Sequence, residues 1–316
     1  MTTKSTKNIK KAAVLVPYDF GPSSEVALKE AVCITKYLKG EIYLLSVVRK
    51  GDFFSQLFRS ERDNRRIQRE VRNKLKELAT NTKKETGVRV ITIVEQGNPL
   101  DVILEQANIL NAQYIIMGKL KETKPDLNIF GTSILQVISE SPCPVITVSD
   151  SPIQECGFRN IVLPIDLTKQ TLEKVSKAIA WAKYYNSNIH LVGVLSGGIS
   201  VRKSRLHLKM EKAKLIVERE GIVCSAKLYE KSEEPVHQTI FKHVKEVNGD
   251  LLMIMTHQEL GVVDSYIGAI AQKMIKVSDI PVVSFTSKAI EHNNYFVSGF
   301  LPFEIIDNKD LKHLKG

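Results

Sequence analysis

Short apolar runs alternate with longer stretches of helical periodicity along the first half of the chain. Runs rich in valine and isoleucine, bounded by polar residues or glycine, predict strands near residues 12–17, 42–48, 89–94, 113–117 and 144–148. Helical patterns lie between them, near residues 23–39, 62–86, 99–110 and 132–140. Because strands that alternate with helices pair in parallel through right-handed crossovers, this half is predicted to form an α/β fold with a doubly wound, five-stranded parallel sheet.

Two of the predicted helices have a clear apolar stripe. In the helix over 62–86 the stripe recurs at spacings of four, four and three, and consists of Ile67, Val71, Leu75 and Leu78. Four arginines fall outside it, namely Arg65, Arg66, Arg69 and Arg72. A similar stripe in the second half consists of Leu206, Met210, Ala213 and Val217. These helices are predicted to pack one face on a sheet and to expose the other.

The pattern of the first half recurs in the second half. Residues 14–19 read Val-Leu-Val-Pro-Tyr-Asp, and residues 161–166 read Ile-Val-Leu-Pro-Ile-Asp. Near the other end of the repeat, Ser-Pro-Cys-Pro-Val at 141–145 matches Ser-Asp-Ile-Pro-Val at 278–282. Self-similarity of this kind predicts two copies of one unit. We therefore expect a second doubly wound, five-stranded parallel sheet.

The repeat predicts a domain at 1–149, a linker at 150–158, a second domain at 158–286 and a C-terminal extension at 287–316. An exposed apolar edge strand must be covered, so the last strands of the two copies, Val145–Val148 and Val282–Phe285, are expected to pack together as an internal pseudo-dimer. The extension carries an aromatic run over 295–303. We expect it to pack either on one of the domains or on a second copy in a homodimer.

Composition places the chain among ordinary globular proteins. Of its 316 residues, 43% are apolar and 25% are charged. No apolar run is long enough to span a membrane, and the N-terminus lacks the apolar core of a secretory signal. The four cysteines are Cys33, Cys143, Cys156 and Cys224, and they show no metal-ligand spacing. We interpret them as free thiols and expect a cytoplasmic protein with no membrane contact and no metal.

The net charge of +10 is compatible with an acidic partner or with a well-solvated surface. The arginines over 62–86 are interleaved with acidic residues, namely Glu61, Asp63, Glu70 and Glu77, and no aromatic platform for bases accompanies them. We therefore expect no specific nucleic-acid site.

Candidate chemistry lies where predicted strands end. In a doubly wound sheet, ligands bind at the carboxyl ends of the strands, near the reversal of strand order. Three strand ends of the first copy meet there: the first at Pro17-Tyr18-Asp19, the second near Val47, and the fourth at Met117-Gly118. A polar loop leads from the fourth to Gly131-Thr132-Ser133, predicted to open a helix. This segment suits either a phosphate held by backbone N–H groups and a hydroxyl, or an ordinary N-cap and turn.

These motifs together resemble the universal stress protein family over nearly all of residues 10–286. They are the Pro17-Tyr18-Asp19 strand end, the register Gly118-x2-Lys121-x9-Gly131-Thr132, and the Cys-Pro-Val run before the last strand. The resemblance implies a fold like the adenine nucleotide alpha-hydrolases and a site for ATP or another adenine nucleotide. It implies that Asp19 and the backbone around Tyr18 face the adenine and ribose, and that Val47 lines the base pocket.

The resemblance also implies that Gly118, Gly131, Thr132 and Ser133 hold the phosphates and ribose. Lys121 stands where the family pattern has glycine, and it would either attract a phosphate or obstruct the approach of the backbone. In the second copy the first two glycine positions are read as Thr256 and Glu259, with the spacing to Gly268 one residue shorter. We therefore expect nucleotide binding in the first copy and a degenerate second copy.

No nucleophile motif, paired-carboxylate signature or metal cluster stands out, and three histidines, His237, His243 and His257, are interpreted as surface residues. We expect no enzyme. Two functions stay open: a stress-response switch or regulator that binds an adenine nucleotide, and a scaffold for an unknown protein partner that binds none.

Overall fold

The computed structural model describes residues 11–49, 61–119, 128–129, 132–149, 156–167, 171–195, 200–230, 234–256 and 267–286. The strands in these ranges are β1 (Ala13–Pro17), β2 (Glu41–Val48), β3 (Val90–Gln96), β4 (Tyr114–Lys119), β5 (Asn128–Ile129), β6 (Thr132–Ser133), β7 (Val145–Ser149), β8 (Asn160–Ile165), β9 (Asn188–Val194), β10 (Cys224–Tyr229), β11 (Leu251–Thr256) and β12 (Val282–Thr286). The helices are α1 (Pro22–Leu38), α2 (Glu61–Thr86), α3 (Pro99–Leu110), α4 (Ile134–Glu140), α5 (Thr171–Tyr185), α6 (Ser200–Arg219), α7 (Val236–Glu246) and α8 (Ala269–Val277). The C-terminal extension and most of the linker lie outside the described residues. No helix in the described ranges has the length and apolar character needed to cross a membrane.

Ten of the strands form one continuous sheet in the order β10-β9-β8-β11-β12-β7-β4-β1-β2-β3. Within each half the five neighbouring strands pair in parallel, and strand order reverses beside β1 and beside β8. The halves meet where β7 pairs antiparallel with β12, with Thr147 opposite Val282 and Val145 opposite Ser284. The predicted doubly wound sheets and the predicted pairing of the last strands are confirmed.

The strand register fixes which residues of the two halves correspond. Val14 pairs with Tyr114 in the first half as Ile161 pairs with Leu251 in the second. Gly118 lies opposite Val148, and the residue in that place of the second half, opposite Phe285, is Met255. The predicted equivalence of Gly118 with Thr256 is therefore wrong.

This register also corrects the predicted loop spacing. Gly131 follows Gly118 by 13 positions, and Gly268 follows Met255 by the same 13. The spacing is therefore not shorter in the second copy. Glu259 corresponds to Glu122 of the first copy, so a glutamate at this position does not distinguish the two loops.

The sheet has an apolar core on each face. Alternate residues of β1 show this, because Val14 and Val16 belong to one buried cluster and Leu15 to the other. The apolar stripes are confirmed: Leu75 of α2 is fully buried, and the whole α6 stripe, Leu206, Met210, Ala213 and Val217, is buried. The four arginines of α2 are exposed.

The start of α4 differs from the prediction. Thr132 and Ser133 pair with Ile129 and Asn128 in a short antiparallel ladder, and the helix begins at Ile134. The helix predicted near 132–140 is therefore present, but it starts two residues later than predicted. The ladder supplies backbone hydrogen-bond partners for both residues, which a helix pattern read from apolar spacing does not detect.

The prediction of four free thiols is wrong for two of them. Cys33 of α1 and Cys156 form a disulfide, with their Cα atoms 5.0 Å apart. They are 123 positions apart in the chain, so spacing along the sequence did not reveal the pair. Cys143 and Cys224 are free and buried, and burial raises the pKa of each thiol to about 12. Such thiols act as small apolar groups.

Polar groups reinforce the junction of the halves. Ser149 Oγ donates to the carbonyl of Asp279 (2.8 Å), and Thr286 Oγ1 donates to the carbonyl of Ser141 (3.2 Å). Ser149 and Thr286 occupy corresponding positions of β7 and β12, although the carbonyls that they contact are one position apart in that correspondence. A third contact crosses the junction: the buried ammonium of Lys119 donates to carbonyls at the C-terminal end of α8. Lys119 thus ties the end of β4 to a helix of the other half.

Candidate functional site

The first half presents a fixed carboxylate at the end of β1. Asp19 is half-buried, and its Oδ1 accepts hydrogen bonds from the Gly21 amide (2.9 Å) and from Ser24 Oγ (2.8 Å). Both donors lie at the N-terminal end of α1, whose first residue is Pro22. The carboxylate is therefore held at the reversal of strand order, between β1 and β4.

Tyr18, next to Asp19, is a structural residue. Its amide donates to the Leu45 carbonyl (2.7 Å), which extends the pairing of β1 with β2. Its ring is buried and meets the ring of Phe20 edge to face, with centroids 5.2 Å apart. Burial, with smaller contributions from Glu25 and Asp19, raises the pKa of the Tyr18 hydroxyl. Tyr18 is consequently a neutral packing side chain, and its backbone anchors the strand end.

The structure brings six of the ten predicted site residues to one edge of three adjacent strands. They are Pro17, Tyr18, Asp19, Val47, Met117 and Gly118. Val47 and Met117 are buried in one of the apolar clusters. Lys121 and Gly131 lie outside the described residues, and for Thr132 and Ser133 the structure describes the backbone pairing in β6. The roles predicted for these four residues stay predictions.

Gly118 has a packing function that the sequence did not reveal. A Cβ at this position would lie 1.7 Å from the backbone oxygen of Ser23 and 2.6 Å from its carbonyl carbon. Real Cβ atoms do not approach backbone atoms so closely, so only glycine lets the first turn of α1 rest on β4. The close approach places the N-terminal end of α1 directly beside the strand end.

The second half repeats the cap on the carboxylate and adds a lysine. Thr171 Oγ1 donates to the carbonyl (3.1 Å) and to Oδ1 (3.4 Å) of Asp166, as Ser24 contacts Asp19. By register, Ala27 of α1 corresponds to Lys174 of α5. Lys174 Nζ donates to the Pro164 carbonyl (2.7 Å) and lies 3.5 Å from Asp166 Oδ2. Its side chain is 4% exposed, and burial lowers the pKa of its ammonium, an effect that Asp166 opposes.

A cavity of about 680 Å³ lies at this edge of the second half. It is bounded by the ends of β8, β9 and β11 and by helices α5 to α8. Most of its lining is apolar, including Val192, Val194, Ile240, Ile254, Met255 and Met274. Among the described residues, the charged side chains that line it are Asp166 and Lys174. This cavity was not predicted from the sequence, although one signal was present: Lys174 interrupts the buried face of a helix.

One histidine differs from its prediction. His243 is buried on α7 rather than exposed, with Nδ1 3.4 Å from the Tyr229 hydroxyl. Burial lowers the pKa of its imidazole, and Glu246 opposes that shift. His257 lies outside the described residues. Within the described ranges, no group of three or more histidine, cysteine, aspartate or glutamate side chains is placed to hold a metal ion.

Comparisons with known proteins agree with this architecture. A sequence model of the universal stress protein family matches residues 12–149. A universal stress protein of Methanocaldococcus jannaschii is 31% identical over 150 residues, which cover 43% of this chain and 93% of that protein. A second universal stress protein of the same organism is 28% identical over 146 residues, covering 43% of this chain and 80% of the relative.

A solved structure resembles almost the whole chain. The crystal structure of a universal stress protein from Archaeoglobus fulgidus superposes with a TM-score of 0.69 at 19% identity, covering 88% of this chain and 99% of that one. This likeness extends the shared fold over both halves of the ten-stranded sheet. The family match, the sequence relatives and the fold agree, and the chain belongs to the universal stress protein family.

Proposed function

We propose that this chain is a cytoplasmic stress-response protein whose first half binds an adenine nucleotide, with ATP as the first candidate, and acts as a switch. The observation that carries the proposal is the placement of Asp19. Both of its hydrogen bonds from Gly21 and Ser24 use Oδ1, and among the described residues no donor contacts Oδ2. A fixed acceptor at the reversal of strand order suits a ribose hydroxyl or the adenine amino group.

The remaining contacts of the proposed site come from the segments beside this carboxylate. Val47 would flank the base, while Lys121, Gly131, Thr132 and Ser133 would face the phosphates. Phosphates are bound by hydroxyl and ammonium donors and by backbone N–H groups, which a glycine leaves accessible because it has no Cβ. The proposal involves binding and no catalysed step. Nucleotide occupancy would then be the signal that a protein partner reads.

A second function has one observation in its favour. Because the packing of Ser23 against Gly118 already requires glycine, this part of the family pattern needs no nucleotide to explain it. A chain that keeps Gly118 for packing alone would be a scaffold for protein partners. The two functions differ in whether a nucleotide binds at all.

Titration calorimetry of the full chain with ATP separates them. We expect one site per chain, lost in Gly131→Val because the new side chain enters the path of the phosphates. Gly268→Val is the matched control, since it makes the same change at the corresponding position of the second half, where an added Cβ meets no atom within 4 Å. Asp19→Asn keeps an acceptor for Gly21 and Ser24 but loses the charge, and should weaken binding by about tenfold. No heat with ATP, ADP or AMP would favour the scaffold.

A further inference from the structure

The cavity of the second half differs chemically from the corresponding region of the first half. The register aligns Gly118 with Met255, Thr132 with Ala269, and Ser133 with Ile270. All three replacements line the cavity. Two hydroxyl groups and a bare backbone have thus been exchanged for apolar side chains. A polar phosphate chain would find few partners here, whereas an apolar body would be well accommodated.

The cavity retains charge at one place. The Lys174 ammonium lines it, is almost fully buried, and has two acceptors, the Pro164 carbonyl and the more distant Asp166 carboxylate. An ammonium can donate three hydrogen bonds, and among the described residues no third acceptor contacts it. One donor of a buried cation is therefore left for a ligand.

The charges around Lys174 favour an anion. Lys209 of α6 is half-buried and close enough that Asp166 raises and Lys174 lowers the pKa of its ammonium, although burial is the largest influence on it. Among the described residues, Asp166 is thus the carboxylate that acts on both lysines. The N-terminal end of α8 also lines the cavity, and its N-cap, Gly268, gives no side-chain hydrogen bond. The partial positive charge of a helix N-terminus adds to the same field.

We propose that this cavity binds a small organic anion with a largely apolar body, a monocarboxylate whose carboxylate pairs with Lys174. The volume lies in the range of small-molecule sites, which are mostly apolar with a few placed polar groups. The carboxylate takes the remaining donor of Lys174, and the aliphatic or aromatic body packs against Val192, Ile240 and Met255. The site is distinct from the proposed nucleotide site and does not depend on it, so one chain would carry two ligands of different chemistry.

Calorimetry of the full chain with decanoate tests this site, with decanol and decylamine as probes of equal length but different head group. We expect decanoate to bind at one site per chain and to bind about tenfold or more tightly than either analogue, since only the carboxylate pairs with the ammonium. Lys174→Met keeps the apolar stem and should remove this preference. Lys177→Met is the matched control, because Lys177 lies on the same helix, is partly buried and does not line the cavity.

Two further measurements keep the outcome clear if Lys174→Met folds poorly. Ala271→Phe fills the cavity from α8 and should abolish decanoate binding while Lys174 is kept. ATP should not displace decanoate, and Gly131→Val should leave decanoate binding unchanged. Equal binding of the three probes, binding indifferent to both cavity variants, or displacement by ATP would overturn the proposal.

Discussion

The two halves of the chain share strand order and register, yet they differ at the place where the first helix meets the fourth strand of each half. In the first half Gly118 lets α1 rest on β4, with the Ser23 carbonyl where a Cβ would stand. In the second half the corresponding residue is Met255, a buried side chain that lines the cavity. Lys174, in place of Ala27, and a cavity of about 680 Å³ are found there. The two strand ends therefore differ in the residue beside the first helix, which is glycine in the first half and methionine in the second.

The junction between the halves shows a second asymmetry. Lys119 follows Gly118, and its ammonium reaches the carbonyls of Ile275, Lys276 and Ser278 at distances of 2.6, 3.1 and 2.7 Å. The corresponding Thr256 makes a local contact to the Phe285 carbonyl (3.1 Å). Lys119 therefore links the first half to the second. Thr256, at the corresponding position, contacts a carbonyl of its own half instead.

The largest effect is expected at Gly118. Gly118→Ala places a Cβ against backbone atoms that no rotamer change can move, so we expect a loss of about 3 kcal/mol in the free energy of unfolding. Gly268→Ala is the control, because its added Cβ meets nothing within 4 Å, and it should change stability little. Urea unfolding of both variants measures the difference. Equal stability of the two would mean that α1 does not rest on β4.

Removing the ammonium of Lys119 should have the next largest effect. Lys119→Met keeps the stem but leaves three carbonyls without their donor, and we expect a loss of about 2 to 3 kcal/mol. Thr256→Val, at the corresponding position, removes a single hydrogen bond and should cost about 1 kcal/mol. Unfolding curves of the two variants compare the positions directly. The asymmetry of the junction would be refuted if Thr256→Val were the more harmful change.

A smaller, pH-dependent effect is expected at Glu30 of α1, whose counterpart on α5 is Lys177. Glu30 is buried, its Oε2 has no hydrogen-bond partner, and burial raises its pKa from 4.5 to about 7. Since the folded state holds this proton more tightly than the unfolded state, the stabilising contribution is present below pH 4.5 and is lost as the pH rises through 7.

Glu30→Gln removes that titration. We expect the variant to be more stable than the parent by about 2 kcal/mol at pH 8 and close to it at pH 4.5. Thermal unfolding of both proteins across this range gives the two profiles. Parallel profiles would show that Glu30 does not titrate between these pH values.

Local patterns in the sequence predicted most of the fold. The positions of strands and helices followed from local periodic patterns, such as the apolar run over 14–17 and the stripe through Leu75. These patterns do not depend on how distant parts of the chain pack. The pairing of β7 with β12 followed from the need to cover an apolar edge. The start of α4 could not be predicted from such patterns. Thr132 and Ser133 pair with Ile129 and Asn128 in a short ladder, which the spacing of apolar residues does not indicate.

The candidate site was only partly predictable for a similar reason. Asp19 and Gly118 could be placed at one edge by strand order alone. The contact of Gly118 with Ser23, the bond between Cys33 and Cys156 and the burial of His243 depend on distant parts of the chain meeting in space. The alignment of Gly118 with Met255 depends on the strand register, whereas the sequence motifs alone align Gly118 with Thr256, one residue away. The one-residue difference concealed the apolar replacements that line the cavity of the second half.

We infer that the equivalent strand ends of the two halves bind different ligands. Native mass spectrometry of the full chain with ATP and decanoate, added separately and together, tests this inference. We expect a species that carries one of each, with decanoate lost in Ala271→Phe and ATP lost in Gly131→Val. Mutual exclusion of the two ligands, or a second ATP in place of decanoate, would contradict it.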